Sequence, residues 1–326
     1  MNKRIAIIGD GGWGTTLAIL LHDNGFGVTL WSAFPKYAQS LDHERENKKF
    51  LPGIKIAENI RITGDMNALA ENDICIIAVP CEFLRGVLKK LKDVIGNTVV
   101  SVVKGIENDT LKRPSEIMRD ILGGVDLSVL SGPTIAYEVV RHKPTTCVIS
   151  SEGKSVYELQ MIFSSKTFRV YTSDDIIGVE LGGALKNVIA IAAGISDGMG
   201  FGVNTKATIM TRGLAEIIRL GTKMGARKES FTGLSGIGDL ATTCMSFHSR
   251  NRRFGEEIGE GKSLRDALEG TKMVVEGYTT TKSAYQLAKR NKVEMPITEE
   301  IYRVLYENKD PKKAVCDLMT RAPKSE

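Results

Sequence analysis

Through the first half of the chain, short apolar runs alternate with stretches that carry apolar residues at helical spacing. The runs Arg4–Ile8, Gly27–Trp31, Ile74–Val79, Thr98–Val103, Leu127–Leu130, Thr145–Ile149 and Phe168–Tyr171 are predicted strands. Several are rich in Val and Ile and apolar throughout, as in parallel strands covered on both faces. Thr15–Asn24, Glu82–Leu91 and Pro114–Leu122 between them have helical periodicity. This alternation predicts βαβ units wound into a doubly wound sheet. After Asp174-Asp175 the pattern changes, and no strand is predicted from Ile176 onward. Helices are expected over Ile176–Ile195, Thr205–Met224, Arg250–Gly259, Gly277–Asn291, Thr298–Tyr306 and Pro311–Met319. The expected fold is α/β: an N-terminal domain over residues 1–175 and an all-helical C-terminal domain over 176–326. No low-complexity linker or internal repeat separates them.

The first strand runs into Gly9-Asp10-Gly11-Gly12-Trp13-Gly14, a G-x-G-x-x-G turn followed by a helix near Thr15. In that context the first glycine permits the tight turn. The second lets backbone approach a pyrophosphate, and the third lets helix and strand pack closely. The helix N-terminus presents amides and a positive dipole to phosphate. A lone pattern of this kind is weak; between a strand and an amphipathic helix it points to a Rossmann-like, dinucleotide-binding sheet. The plain alternative is a glycine-rich turn without a ligand. An acidic residue closing the second strand would favour NAD and an Arg NADP. Here the strand ends Leu30-Trp31-Ser32-Ala33-Phe34, with neither; Lys36 is either a reach toward a 2′-phosphate or an ordinary surface lysine. The choice between NAD and NADP stays open.

Composition narrows the class. The chain has 326 residues, 42% of them hydrophobic and 25% charged, which suits globular domains with a substantial core. Its net charge of +5 is too small and dispersed for a nucleic-acid surface, and fits small anionic substrates. Five cysteines without a C-x-x-C pair argue against a disulfide framework and a zinc site, and suit a reducing compartment. The apolar run behind the basic start is too short for a signal peptide, and Val188–Ile195 is too short to span a bilayer. A soluble, cytoplasmic protein is expected.

Three further segments carry candidate chemistry. Lys104-Gly105 ends one apolar run, and Ser131-Gly132-Pro133-Thr134 follows another, at the carboxyl ends of strands where ligands gather. Each taken singly is about as readily structural as functional. Lys186 lies in Val179–Val188, apolar on nearly every face, so it should be buried. Burial disfavours an ammonium and can bring a lysine toward the range where it exchanges a proton. The plain alternative is a lysine that snorkels from a packed helix. Gly182 and Gly183 each weaken that helix by about 1 kcal/mol relative to Ala, which suggests a close approach by backbone or ligand. Asp239 ends the glycine-punctuated segment Gly233–Gly238, read as flexible, and Thr243 follows it. Ser249 is a plausible N-cap beside Arg250 and Asn251, a suitable phosphate site, while Arg252 and Arg253 are as readily a solvated basic turn. The four histidines show no metal-ligand spacing, and no G-x-S-x-G elbow or P-loop supports hydrolase or kinase chemistry.

On Gly9–Ala18, Phe50–Ile54, Val102–Glu107, Leu130–Thr134, Val179–Gly194, Gly236–Leu240, Ser249–Gly255 and Val274–Gly277, taken in order, the sequence resembles the NAD(P)-dependent glycerol-3-phosphate dehydrogenases, particularly the bacterial soluble type. The likeness spans almost the whole chain. It implies interconversion of dihydroxyacetone phosphate and sn-glycerol 3-phosphate, no metal, a supply of glycerol phosphate for phospholipid synthesis, and a homodimer. Lys186 matches the proton-exchanging lysine, and Lys104 a second lysine near substrate and nicotinamide. Asp239 and Thr243 match substrate-surrounding groups, with Arg250 and Asn251 at the phosphate; Gly132, Thr134 and Ser249 fall on further substrate positions. Gly9, Gly11, Gly12, Trp13, Gly14, Ala136, Val274 and Glu276 fall on cofactor positions, shared by Lys104 and Arg250. Three residues depart from the family pattern: Gly12 for Ser or Ala, Ala33 for a polar or basic residue, and Val203 for Asp. Rival readings are another Rossmann ketone or hydroxyacid reductase, separable by a substrate panel, and a cofactor-sensing protein without turnover.

Overall fold

The computed structural model describes residues 3–153, 155–271, 274–323 and 325. The chain forms two compact units, Met1–Lys104 with Lys112–Val179, and Gly105–Leu111 with Glu180–Glu326. The first unit contains β1 (Arg4–Ile8), α1 (Gly12–Asp23), β2 (Gly27–Trp31), α2 (Pro35–Glu44), β3 (Arg61–Thr63), β4 (Ile74–Ile77), α3 (Cys81–Leu91) and β5 (Thr98–Ser101). It continues with α4 (Pro114–Leu122), β6 (Asp126–Ser131), α5 (Ala136–Val139), β7 (Thr145–Ser151), α6 (Val156–Phe163) and β8 (Phe168–Ser173).

The eight strands lie in the order β3-β2-β1-β4-β5-β6-β7-β8. All neighbours are parallel except β6 and β7. The strand pattern reflects two-sided burial. Alternate residues of β1 enter different cores: Ile5 and Ile7 pack with Leu17 and Leu21 of α1, and Ala6 and Ile8 with Leu84 and Leu88 of α3. With helices on both faces, no strand position needs to be polar, so several of the runs read as apolar throughout.

Two features differ from expectation. β3, α2, α5 and α6 were not anticipated; β3 has three residues, and α2 has a polar mean composition. The second is the reversed pair β7 and β8. Between β6 and β7 the only helix is the four-residue α5, whereas β7 and β8 are joined through α6. A parallel neighbour is usually reached through a helical crossover. The connection through the eight-residue α6 makes such a pair, while the one with only the four-residue α5 returns the chain antiparallel.

The second unit contains α8 (Val203–Lys223), α9 (Lys228–Phe231), a π turn (Leu234–Gly238), α10 (Asp239–Met245), α11 (Arg250–Gly259) and α12 (Leu264–Glu269). It closes with α13 (Glu276–Asn291), α14 (Pro296–Tyr306) and α15 (Pro311–Met319), and its described residues include no strand. α7 (Ile176–Gly198) begins in the sheet unit and gives the helical unit its centre; the expected boundary at 175 falls just before it. Asp175 accepts the Gly178 amide at 2.9 Å and so caps this helix. At 23 residues α7 is long and apolar enough to cross a bilayer, a length the run Val188–Ile195 understates, yet its apolar window is 94% buried within the protein. It is a core helix.

α7 and α11 meet backbone to backbone through Gly194 and Gly255. A Cβ at Gly194 would stand 1.9 Å from the Arg252 carbonyl oxygen, and one at Gly255 2.2 Å from that of Ile191. Arg252 is buried rather than solvated, with Nε 2.7 Å from Asp197 of α7 and a terminal nitrogen 3.2 Å from Glu256. Arg253 remains exposed. Together these contacts fix the N-terminus of α11 on the helix that carries Lys186.

Candidate active site

The glycine turn stands at the carboxyl end of β1, between β2 and β4. Gly9 adopts φ 120°, donates its amide to the Trp31 carbonyl at 3.0 Å, and lies against Ala78. A Cβ at Gly14 would fall 1.9 Å from the Gly9 oxygen, so only glycine lets α1 begin this close to the turn. Gly11 faces open space. No side chain caps α1, and no carboxylate stands in its first turn, which begins at Gly12 rather than near Thr15. An open backbone at the second glycine and uncapped helix amides suit a pyrophosphate. The residues present therefore fit a dinucleotide. Gly12 has a local reason too: a Cβ there would stand 2.8 Å from the Phe50 carbonyl oxygen. The segment containing Phe50 is held to the turn by Asn47, which donates to the Asp10 carbonyl at 2.8 Å and to Thr15 Oγ1 at 2.7 Å.

The structure brings Lys104, Gly132 and Thr134 together around one oxygen. Lys104 Nζ donates to the Gly132 carbonyl at 3.3 Å, and Thr134 Oγ1 donates to the same oxygen at 3.1 Å. Gly132 has φ 143°, with a position for Cβ only 2.9 Å from Cys147 Cα, so a side chain is excluded twice over. Ala136 opens α5, and its carbonyl accepts Thr16 Oγ1 from α1 at 3.5 Å.

In the helical unit Lys186 is 5% and Asp239 1% exposed. Lys186 Nζ donates to Asp239 Oδ1 in a short ion pair and to Thr243 Oγ1 at 2.8 Å. Thr243 in turn donates to the Asp239 carbonyl at 2.7 Å, which orients its hydroxyl oxygen toward the lysine. Burial alone disfavours an ammonium; the carboxylate favours it, and the structure supplies both. The segment before Asp239, expected to be flexible, is an ordered π turn, with Gly236 outside helical geometry at φ −95°, ψ −105°. Gly182 explains its own place: a Cβ there would lie 2.4 Å from the Ser235 oxygen of that turn. Cys244 follows Thr243, and burial pushes its thiol up to about 12, so it is neutral and unsuited to thiolate chemistry.

Ser249 caps α11 by accepting the Arg252 amide at 3.2 Å. Arg250 donates to the Val274 carbonyl at 3.0 Å, and Asn251 Oδ1 accepts the Gly277 amide at 2.8 Å, one residue beyond Glu276. At Gly277 a Cβ would stand 2.8 Å from both Asn251 Oδ1 and the Asn187 carbonyl oxygen. Asn251, Gly277 and the backbone of Asn187, the residue after Lys186, thus meet where α7, α11 and the start of α13 pack together, while the partners of Lys186 stand on α10. Asn187 was missed by sequence reasoning. Its Nδ2 is buried without a hydrogen-bond partner among the described residues, an arrangement native proteins rarely leave unexplained. An Asn beside Lys186 on an otherwise apolar, buried helix was the available signal.

A Rossmann-type sheet with a glycine turn open to a dinucleotide, in one chain with a buried amine–carboxylate pair suited to moving a proton, defines an NAD(P)-dependent oxidoreductase. Family comparison narrows this class. Residues 4–157 match the model of the NAD-dependent glycerol-3-phosphate dehydrogenase N-terminus, and residues 175–316 that of its C-terminus. The chain is 49% identical to glycerol-3-phosphate dehydrogenase [NAD(P)+] of Fusobacterium nucleatum, over 99% of this chain and 98% of that protein. It is 50% identical to the enzyme of the same name from a Thermoanaerobacter species, with the same coverage. The crystal structure of glycerol-3-phosphate dehydrogenase from Coxiella burnetii superposes with a TM-score of 0.95 at 37% identity, covering 98% of this chain and 99% of that one. The chain belongs to the NAD(P)-dependent glycerol-3-phosphate dehydrogenase family, and its activity is that of an oxidoreductase using NAD or NADP.

Proposed function

We propose that the chain reduces dihydroxyacetone phosphate to sn-glycerol 3-phosphate with Lys186 as the proton donor. The carrying observation is the buried arrangement of Lys186, Asp239 and Thr243. A bound nicotinamide cofactor supplies or accepts the hydride. Lys186 gives a proton to the substrate oxygen in reduction and takes one from the hydroxyl in the reverse direction. Asp239 stabilises the ammonium before transfer, and Thr243 fixes its direction. General acid catalysis of this kind contributes roughly 10²–10⁴-fold.

Arg250 and the Nδ2 group of Asn251 are assigned to the substrate phosphate, with Ser249 holding the helix start that presents them. A guanidinium at a helix N-terminus is well suited to a phosphate. Lys104, Gly132 and Thr134 are assigned to substrate on the strength of the family match and their shared carbonyl. Gly9, Gly11, Gly12, Trp13, Gly14, Ala136, Val274 and Glu276, with Lys104 and Arg250, are assigned to the cofactor. The same reading places the enzyme in the cytoplasm, as a homodimer, supplying glycerol phosphate for phospholipid synthesis.

The direct test follows oxidation of reduced cofactor by the purified protein with dihydroxyacetone phosphate or dihydroxyacetone. Turnover that requires the phosphate, and is lost in a folded Lys186→Met variant, is the expected result. Near-normal turnover by Lys186→Met removes Lys186 from the donor role.

A further inference from the structure

The end of β2 lacks the carboxylate that commonly selects NAD in such sheets, where an acidic residue accepts a hydrogen bond from the adenosine ribose 2′-hydroxyl. The fold provides one from elsewhere. Asp10, the second residue of the glycine turn, turns its carboxylate toward the residue that follows β2: Ser32 Oγ donates to Asp10 Oδ2 at 2.6 Å. Ser32 is fully buried, and its Oγ also accepts the Phe34 amide at 3.1 Å, so the strand end itself directs the hydroxyl. From the other side Asn47 holds the Asp10 carbonyl at 2.8 Å. Residue 10 is fixed at its backbone and at its carboxylate.

We propose that Asp10 selects the cofactor: held at the end of β2 by Ser32, it accepts the ribose 2′-hydroxyl of NADH and repels the 2′-phosphate of NADPH. The inference rests on the glycine turn being the cofactor site. Burial pushes the Asp10 carboxyl above its usual value, and the Ser32 hydrogen bond and the charge of Lys49 offset only part of that rise. Lys49 is itself drawn over the Phe50 ring, 4.8 Å from its centroid. Ala33 brings no cation to the strand end, and the exposed Lys36 stands on α2.

Calorimetric titration of the full chain with NADH and with NADPH, without substrate, tests this separately from turnover. Wild type is expected to bind NADH at least about tenfold more tightly, the scale of one charge-assisted hydrogen bond kept or lost. Asp10→Asn should reduce that ratio about tenfold, and Ser32→Ala, which leaves the carboxylate but removes its tether, should reduce it partly. Lys36→Ala should leave the ratio unchanged. Equal or tighter NADPH binding by wild type, an unaltered ratio in folded Asp10→Asn, or a selective loss of NADPH affinity in Lys36→Ala overturns the assignment to Asp10 alone. Failure of wild type to bind either nucleotide overturns the glycine-turn site and this inference with it.

Discussion

Replacement of Gly182 by Ala asks whether the π turn is placed by its contact with α7. The new Cβ would start 2.4 Å from the Ser235 oxygen and 3.0 Å from its carbonyl carbon. A carbon and a carbonyl oxygen settle at roughly 3.3 Å or more, so helix and turn must separate by about 1 Å. The turn leads directly into Asp239, the partner of Lys186. Ala is favoured over Gly in a helix by about 1 kcal/mol, while forcing a methyl into a packed contact costs about 1–3 kcal/mol. The net expectation is a protein between unchanged and about 2 kcal/mol less stable. Activity should respond more strongly, because a misplacement of about 1 Å can cost on the order of 10²-fold in rate. The assay is the turnover number for dihydroxyacetone phosphate, measured beside thermal unfolding. Gly86→Ala in α3 is the control. Among the described residues nothing outside its own stretch of helix lies within 4 Å of the added Cβ, so it should gain about 1 kcal/mol with turnover intact. If Gly182→Ala gained stability like the control and kept wild-type turnover, the contact would not be positioning Asp239.

Arg250→Ala should mainly raise the Michaelis constant for dihydroxyacetone phosphate, and an unchanged substrate concentration dependence would remove Arg250 from the phosphate. Glu216 is buried against the start of α14, where it accepts the Ile297 and Thr298 amides and the Thr298 hydroxyl. Burial pushes its carboxyl up to about 7 from 4.5 despite those bonds. Its folded value lies above the unfolded one, so the stability it contributes is complete below pH 4.5 and lost as pH rises through about 7. Urea midpoints of wild type should therefore fall between pH 5 and 8, and Glu216→Gln should flatten that change; equal slopes would refute the assignment. Val203, largely exposed at the first position of α8, follows an N-cap without a side-chain bond. Val203→Asp places a carboxylate at the positive helix end and should stabilise the protein by about 0.3–1 kcal/mol in thermal or urea unfolding, with no gain at low salt counting against it.

Much of the sheet is legible in the amino-acid pattern. Strands buried on both faces are largely apolar, and β1, β2, β4 and β5 announce themselves in that way even though β2 carries Thr29 and β5 Ser101. β3 and α2 lack the signal because one is too short for a periodicity and the other is largely solvated. α10 was hidden by the glycines that precede it: their spacing suggested flexibility, whereas Gly236 is packed so closely that a Cβ would stand 2.0 Å from the Phe231 oxygen. Arg252 resembled a solvated first turn because its partner, Asp197, lies 55 positions away.

By itself the sequence determined what local chemistry determines: the glycine turn after β1, the helical periodicity beyond residue 176, the Ser249 cap and the burial of Lys186. Each depends on residues within a few turns of one another. Only the tertiary structure decided the reversal of β7 and β8, the carboxylate that Asp10 brings to the end of β2, and the partner of Lys186. The last two join residues 22 and 53 positions apart, and no local preference specifies which distant group arrives. Packing does so, because a buried charge must find an opposite charge or a hydrogen bond, and the helices that exclude water also determine which one is within reach.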